Sequence, residues 1–477
     1  MLLWRVLGRH YDTSALLNPP CLLPSSRDYA SPLSPKLSGL LEKFIVWDGV
    51  YYIRIAECGY EYEQTFAFLP VFPLTIRLIS DTALSGLIPF VGYRATLCLS
   101  AFLLNVTVFV LSALVLYKVS YLVLKDERLA YQSTALFCLN PASIFYASIY
   151  SESLFALLTF AGLLEFLCGS QWRSACLFAI SGGVRSNGVV HGGFFLFHAI
   201  QESFKAFRQR HLKIAVRVIC SAVLQTAIVL GPFVAFQAFG FIKLCWTETK
   251  EKEGTYHRPW CTNKLPYLYG FVQSYYWDVG FLRYFQLKQL PNFLLASPML
   301  SLAVGSIVYY VWHRPKVFLT LGLCLDTPTP ASIADKGEQM KSNSVGLGPV
   351  VFKDPNLKWR GKSILQANAE DHGAFRHGAK TNGLCHSNDN VYGGAFFSSL
   401  NIPFLIEMGF MALVACFVMH VQVATRFLSV CPPIYWFAAY ITDSLSNMQK
   451  LAYFIWATFL LYVLLGSLLF VNFYPFT

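Results

Sequence analysis

Residues 95–117 read ATLCLSAFLLNVTVFVLSALVLY, 23 positions without a charged side chain. A helix needs roughly 20 apolar residues to cross a hydrocarbon core, so this run reads as a membrane span. Comparable runs recur at 129–149, 152–168, 174–200, 214–242, 291–312, 402–420 and 451–471, with 66–90 as a Pro-interrupted candidate. About eight or nine spans, each closing its own backbone hydrogen bonds, make the expected fold all-α and polytopic. The composition agrees: of 477 residues, 55% are hydrophobic and only 13% charged, outside the range of soluble domains. Asn105-Val-Thr107 matches a glycosylation acceptor but lies inside the quoted span, where it is out of reach.

The net charge of +11 is spread over short loops. A nucleic-acid surface would need basic and aromatic residues clustered in a soluble domain, so no nucleic-acid partner is expected. Lys205, Arg208, Arg210 and Lys213 crowd the loop 202–213, which the positive-inside rule assigns to the cytoplasm. Alternation then puts 243–290, 421–449 and the Asp48 region on the opposite side, the lumen of a secretory membrane. Thirteen cysteines include no C-x-x-C pair, and most lie in apolar runs as small hydrophobes. Cys245 and Cys261 share a polar loop on the oxidising side, where pairing and free thiols are both open. Walker A, H-E-x-x-H, G-x-S-x-G and D-x-D patterns are all missing, which argues against ATP-driven pumps, zinc proteases and metal-nucleotide sugar transferases.

Ionisable groups inside apolar runs are costly and face a cavity or a partner. Glu152 follows the Pro141 break in LNPASIFYASIYSESLF (139–155), Arg185 and Asn187 sit among glycines in ISGGVRSNGVVHGG (180–193), and Gln422 and Arg426 lie in HVQVATRFL (420–428). Asp278 and Arg283 precede the span at 291. Simpler roles compete: Glu152 and Arg185 as structural glue between helices, Arg426 snorkelling to the interface, His420 solvated, and Tyr275, Tyr276 and Trp277 as an interfacial belt. In FIVWDGVYYIRIAECGYEYEQTFAFLPVFP (44–73), Asp48 between Trp47 and Gly49 is either a helix N-cap or a carboxylate held beside a membrane-surface cleft. In the second case partial burial raises its basicity toward a hydroxyl nucleophile.

These segments, together with LFCLNPASIFYASIYSESLFALLTF, GVRSNG, YWDVGFLRYFQLKQLPNFLLASPM and HVQVATRFLSVCPPIYWF, resemble the GPI mannosyltransferase 2 family over about 44–313 and 400–477. The resemblance implies a GT-C fold in the endoplasmic reticulum membrane, with a luminal active site. It implies transfer of the second, α1,6-linked mannose from dolichyl phosphate mannose to the glycosylphosphatidylinositol (GPI) precursor. A β-linked donor and an α-linked product make that reaction inverting, with one base and direct displacement. By position, the resemblance makes Asp48 the base for the acceptor 6-hydroxyl, beside Trp47. Glu57, Glu61 and Glu63 stand as fallbacks, and Arg185 and Arg426 face the dolichyl phosphate. Trp47, Glu57, Glu152, Asn187, Asp278 and Gln422 complete the expected substrate contacts. No metal or cofactor is expected, and there is room for a small membrane partner subunit.

The expected organisation is an irregular N-terminus (1–43), a catalytic membrane region with luminal loops (44–313), a polar, disorder-like loop (314–399) and C-terminal transmembrane helices (400–477). Family members carry a transmembrane helix ahead of the Trp-Asp loop, whereas 1–43 hold no span-length apolar run. They also have a shorter segment at 326–395. Rival functions are a mannosyltransferase with another lipid-linked or protein acceptor, a secondary transporter coupling through Glu152, Arg185 and Asp278, and a silent membrane scaffold.

Overall fold

The computed structural model describes Cys21 and residues 32–247, 258–323, 395–444 and 449–474; the polar stretch 326–394 lies outside them. Regular structure among the described residues is helical throughout. The longer helices are α1 (Pro35–Glu42), α2 (Asp48–Cys58), α3 (Val71–Asp81), α4 (Tyr93–Leu124), α5 (Glu127–Cys138), α6 (Glu152–Leu167) and α7 (Gln171–Val184). They continue as α8 (Gly192–Arg208), α9 (Leu212–Phe241), α10 (Leu268–Trp277), α11 (Leu290–His313), α12 (Ile402–Phe417), α13 (Pro432–Ser444) and α14 (Gln449–Val471). The N-terminal region is thus not wholly irregular: Pro35 opens α1, which packs on α4.

Five helical stretches among the described residues are long and apolar enough to span: Tyr93–Leu124, Leu212–Trp246, Leu287–His313, Ser399–Phe417 and Gln449–Val471. A sixth would be α3 with Ser85–Val91, bent by 67°. Where the sequence suggests further continuous spans, the chain is broken. The run 129–149 splits into α5 and the short helix Ser143–Ala147, because Pro141 has no N–H to give and the Asn140 Oδ1 accepts the Ala142 N–H instead (2.9 Å). The run 174–200 splits after Val184: Arg185 is extended, and Ser186–His191 continue as a 3₁₀ turn into α8. Gly188 permits this fold-back, since a Cβ there would lie 2.6 Å from the Gly182 nitrogen. The run 152–168 is the single 16-residue helix α6, only about 24 Å long.

Helix α4 organises these breaks. Its outer face carries exposed Val110 and Leu114, and its inner face buries Asn105, Ser112 and Ser120. The Asn105 amide donates to the carbonyls of Ser148 and Tyr150, Ser112 Oγ reaches the Ser153 carbonyl (3.4 Å), and Trp436 Nε1 donates to Ser120 Oγ (2.7 Å). Asn105 is therefore spent on the fold, in agreement with its unsuitability for glycosylation. Around α4, helix α6 packs on α4 and α7, α7 and α8 pack on α9, and α13 packs on α5 and α11.

Candidate active site

The two breaks and the irregular turn between α12 and α13 meet at one cavity of about 250 Å³. Its wall takes Asp48 and Tyr52 from α2, Phe68 and Leu69 from the following turn, and Ser151 from the loop before α6. Arg185, Ser186 and Asn187 come from the second break, and His420, Gln422 and Arg426 from the turn around Ala424–Leu428.

Glu152 sits behind this wall, 1% exposed, and its Oε1 accepts from Arg426 Nε (2.6 Å) and from Arg185 Nη1 (2.6 Å). A carboxylate so deep needs ionic partners, and both guanidiniums supply them. The proposed structural pairing of Glu152 with Arg185 is present, and Arg426 joins it. Arg426 also lies over the rings of Phe145 (4.5 Å) and Tyr150 (4.8 Å), which fixes its plane. Its Nη1 then reaches Asp48 Oδ2 at 3.4 Å. Arg426 does not snorkel; it is 14% exposed and faces the cavity.

Asp48 is the first residue of α2, and the cap position itself is held by Trp47 at φ +54° without a side-chain cap bond. The Asp48 backbone N–H donates to the Tyr150 hydroxyl (3.2 Å), while the carboxylate points to Arg426 and keeps 32% of its side chain accessible. Burial pushes the Asp48 carboxyl above its ordinary range, outweighing the pull of Arg426 in the opposite direction. Asn187 is 6% exposed, lines the cavity, and leaves its Oδ1 without a hydrogen-bond partner. Gln422 accepts from the Tyr284 hydroxyl (3.0 Å), which stacks on His420.

Three expected contacts lie elsewhere. Trp47 donates its Nε1 to the Phe470 carbonyl (2.9 Å) and packs on Phe470 and Phe473, because its positive φ places it on the α14 side of the turn. Glu57 is nine residues along α2 from Asp48, about 13 Å of helix, and pairs with Arg94 (3.7 Å). Asp278 is 76% exposed and pairs with Arg283 at 3.4 Å; its neighbours Trp277 and Val279 line the cavity in its place. The fallbacks are engaged too: Glu61 holds Arg54 (2.6 Å), and Glu63 accepts from Trp260 Nε1 (2.6 Å) and the Tyr276 hydroxyl (3.0 Å). The aromatic stripe divides, with Tyr275 exposed and Trp277 on the cavity wall.

Tyr52, Ser186, Tyr269 and Gln273 line the cavity without having been singled out by sequence. Tyr269 and Ser186 share a hydrogen bond (2.7 Å) that joins α10 to the second break. Only the G-x-R-S-N-G glycine pattern next to Ser186 hinted at this group. Cys245 and Cys261 are disulfide-bonded, as are Cys21 and Cys58.

The family model for mannosyltransferase (PIG-V) matches residues 1–477. The chain belongs to this mannosyltransferase family. Among curated relatives, GPI alpha-1,6-mannosyltransferase 2 of Mus musculus is 34% identical over 89% of this chain and 77% of its own length. The Homo sapiens protein of the same name is 31% identical over 89% and 77%. The Cricetulus griseus protein is 37% identical over 63% of this chain, a match that spans 66% of that relative. No solved structure matches the chain.

Proposed function

We propose that this chain, a membrane mannosyltransferase by family and an α1,6-mannosyltransferase of GPI-anchor synthesis by its relatives' names, uses dolichyl phosphate mannose as donor and the GPI precursor as acceptor, with inversion. The observation that carries the reading is the cavity itself: a partly accessible carboxylate, Asp48, faces two guanidiniums held by one buried carboxylate.

Asp48 takes the proton from the acceptor mannose 6-hydroxyl as that oxygen attacks the donor's anomeric carbon. The bond from that carbon to the phosphate oxygen breaks, and dolichyl phosphate leaves with the electron pair. Arg185 and Arg426 meet the phosphate charge, the guanidinium fork matching two phosphate oxygens. Glu152 engages only the Nη1 of Arg185 and the Nε of Arg426, so each guanidinium keeps further donors. The unpartnered Asn187 Oδ1 accepts from a sugar hydroxyl. Gln422 offers its amide nitrogen, since its oxygen is taken by Tyr284. Trp47 acts by fixing the turn that aims Asp48.

Endoplasmic reticulum placement with a luminal cavity is supported by the two disulfides, which need an oxidising compartment. Cys58 ends the helix that Asp48 begins, and Cys261 shortly precedes α10 on the cavity wall.

The test is transfer in microsomes supplied with preformed dolichyl phosphate mannose and a one-mannose GPI precursor. Asp48→Asn keeps size but removes the base, and is expected to lower transfer by about 10²–10⁴-fold at normal abundance. Because the raised carboxyl ionises only at higher pH, the wild-type kcat/KM should fall toward acid through an apparent pKa above the ordinary carboxylate range. Full activity of Asp48→Asn would reduce Asp48 to a helix-end residue.

A further inference from the structure

Arg185, Ser186 and Asn187 line the cavity where α7 gives way to the 3₁₀ turn, with the Arg185 N–H donating to the Ser181 carbonyl (3.0 Å) and the Gly188 N–H to the Arg185 carbonyl (3.0 Å). Arg185 is extended, and the 3₁₀ turn Ser186–His191 has the poorer geometry of its class. These backbone bonds do not by themselves place the side chains, which are held from outside. Besides the bond from Ser186 to Tyr269 on α10 (2.7 Å), one fixed point is Glu152 on α6, which holds Arg185. The other lies at His191, 3% exposed and outside the cavity wall.

His191 is gripped on both ring nitrogens. Its Nε2 shares a hydrogen bond with Thr159 Oγ1 (3.1 Å), and its Nδ1 meets Glu407 Oε1 at 2.5 Å. Phe178 packs against the ring at 4.6 Å and Phe155 stacks on it at 5.8 Å. Thr159 stands seven residues after Glu152, on the same face of α6. Helix α6 thus holds the cavity segment at both ends, and Glu407 completes the second hold from α12. Glu407 is the one acidic or basic side chain in α12, IPFLIEMGFMALVACF. A carboxylate in an apolar span costs a few kcal/mol unless it has a task.

We infer that Glu407 and His191 are a positioning pair for the substrate-binding segment Arg185–Asn187, setting Arg185 and the Asn187 amide relative to Asp48. The inference rests on the cavity being the transfer site. Neither residue touches substrate: with Nδ1–H given to Glu407, His191 Nε2 accepts from Thr159, and the chain Glu407, His191, Thr159 fixes where the turn ends.

Glu407→Leu removes the carboxylate and is sterically mild, since the side chain also borders an apolar cavity lined by Val190, Phe194, Ile406 and Phe410. Glu407→Gln keeps an acceptor for Nδ1–H. In the microsomal assay, Glu407→Leu should raise the donor KM or lower kcat/KM by about tenfold to a hundredfold, as expected when substrate contacts shift by around an ångström. Glu407→Gln should stay within about threefold, because its amide oxygen still accepts from Nδ1–H; the shift in donor KM is the readout that a helix-packing role would not move. If Glu407→Leu lowers abundance, His191→Phe, which keeps the packing between Phe155 and Phe178, replaces it with the same expected KM effect. Unchanged kinetics in either variant at normal abundance overturns the inference. So does loss of the chain in both variants, because the pair would then hold the fold and not the site. Asp48→Asn run alongside separates the two readings: if it is inactive while Glu407→Leu is normal, only the positioning inference fails, and if it is fully active the cavity reading fails first.

Discussion

Helices α4 and α14 and the broken segments 140–152, 185–191 and 420–428 are built from similarly apolar sequence and end in opposite situations. The long helices satisfy their backbone internally and turn residues such as Leu114 and Leu464 outward. The broken segments leave backbone groups to be satisfied by side chains, as the Asn105 amide does for Ser148 and Tyr150. That irregular backbone is tolerable only where protein or a polar cavity surrounds it. The same breaks swing Glu152, Arg185 and Arg426 into one place, so the departures from regular helix build the cavity.

The sharpest way to break the comparison is at the meeting point. Arg426→Lys keeps the charge but cannot serve Glu152 and Asp48 together. It should cost about 1.5–3 kcal/mol of charged hydrogen bonding, read as a roughly tenfold to hundredfold loss of kcat/KM. Steady-state transfer against donor concentration checks it, and a change confined to abundance would place Arg426 with the structural pairs.

A smaller effect is expected one layer back. Asn105→Ala leaves the Tyr150 carbonyl unpaired and the Ser148 carbonyl with the Tyr150 N–H alone, at about 1–3 kcal/mol, which should appear as a lower thermal midpoint and a modest loss of transfer. Leu114→Ala, on the outer face of the same helix, is the control and should move neither. Equal effects of the two would mean that α4 acts only as an apolar rod.

The smallest effect should come from the polar stretch. Its two ends already meet: Arg314 Nη1 donates to the Phe397 carbonyl (2.8 Å), and Gly322 lies against Ser399 and Ile402. Deleting roughly 335–385 should leave transfer unchanged in the microsomal assay, because the contacts that join the halves lie outside it.

How much of this was legible depends on the range over which the information acts. The apolar runs behind α4, α9, α11, α12 and α14 are local, and lipid sets the length they need. The breaks were half legible: Pro141 marked where one helix stops and the glycines at 182–183 marked a close approach, but not that three runs would be shorter or broken helices. Individual polar residues were recognised by their cost in an apolar setting, which is why Glu152, Arg185, Asn187, Gln422 and Arg426 were singled out and do line or back the cavity. The same reasoning gave Asp278, and the resemblance gave Trp47 and Glu57, none of which lines the cavity. A costly residue must have a partner, but its sequence neighbours do not say which one.

That choice was made by the tertiary fold. Asp48 and Arg426 are 378 residues apart, Arg426 and Glu152 274, and His191 and Glu407 216. No spacing rule reaches across such distances. The sequence by itself determined that this chain lives in a membrane, that its charges there are few and committed, and that Asp48 is one of them at the edge of an apolar stretch. Only the packing of α2, α6 and the turn at Ala424–Leu428 decided that one buried carboxylate would hold two guanidiniums in front of Asp48. Burial makes unpaired charge too costly to leave, so once the helices close, the pairs that form are those the geometry allows.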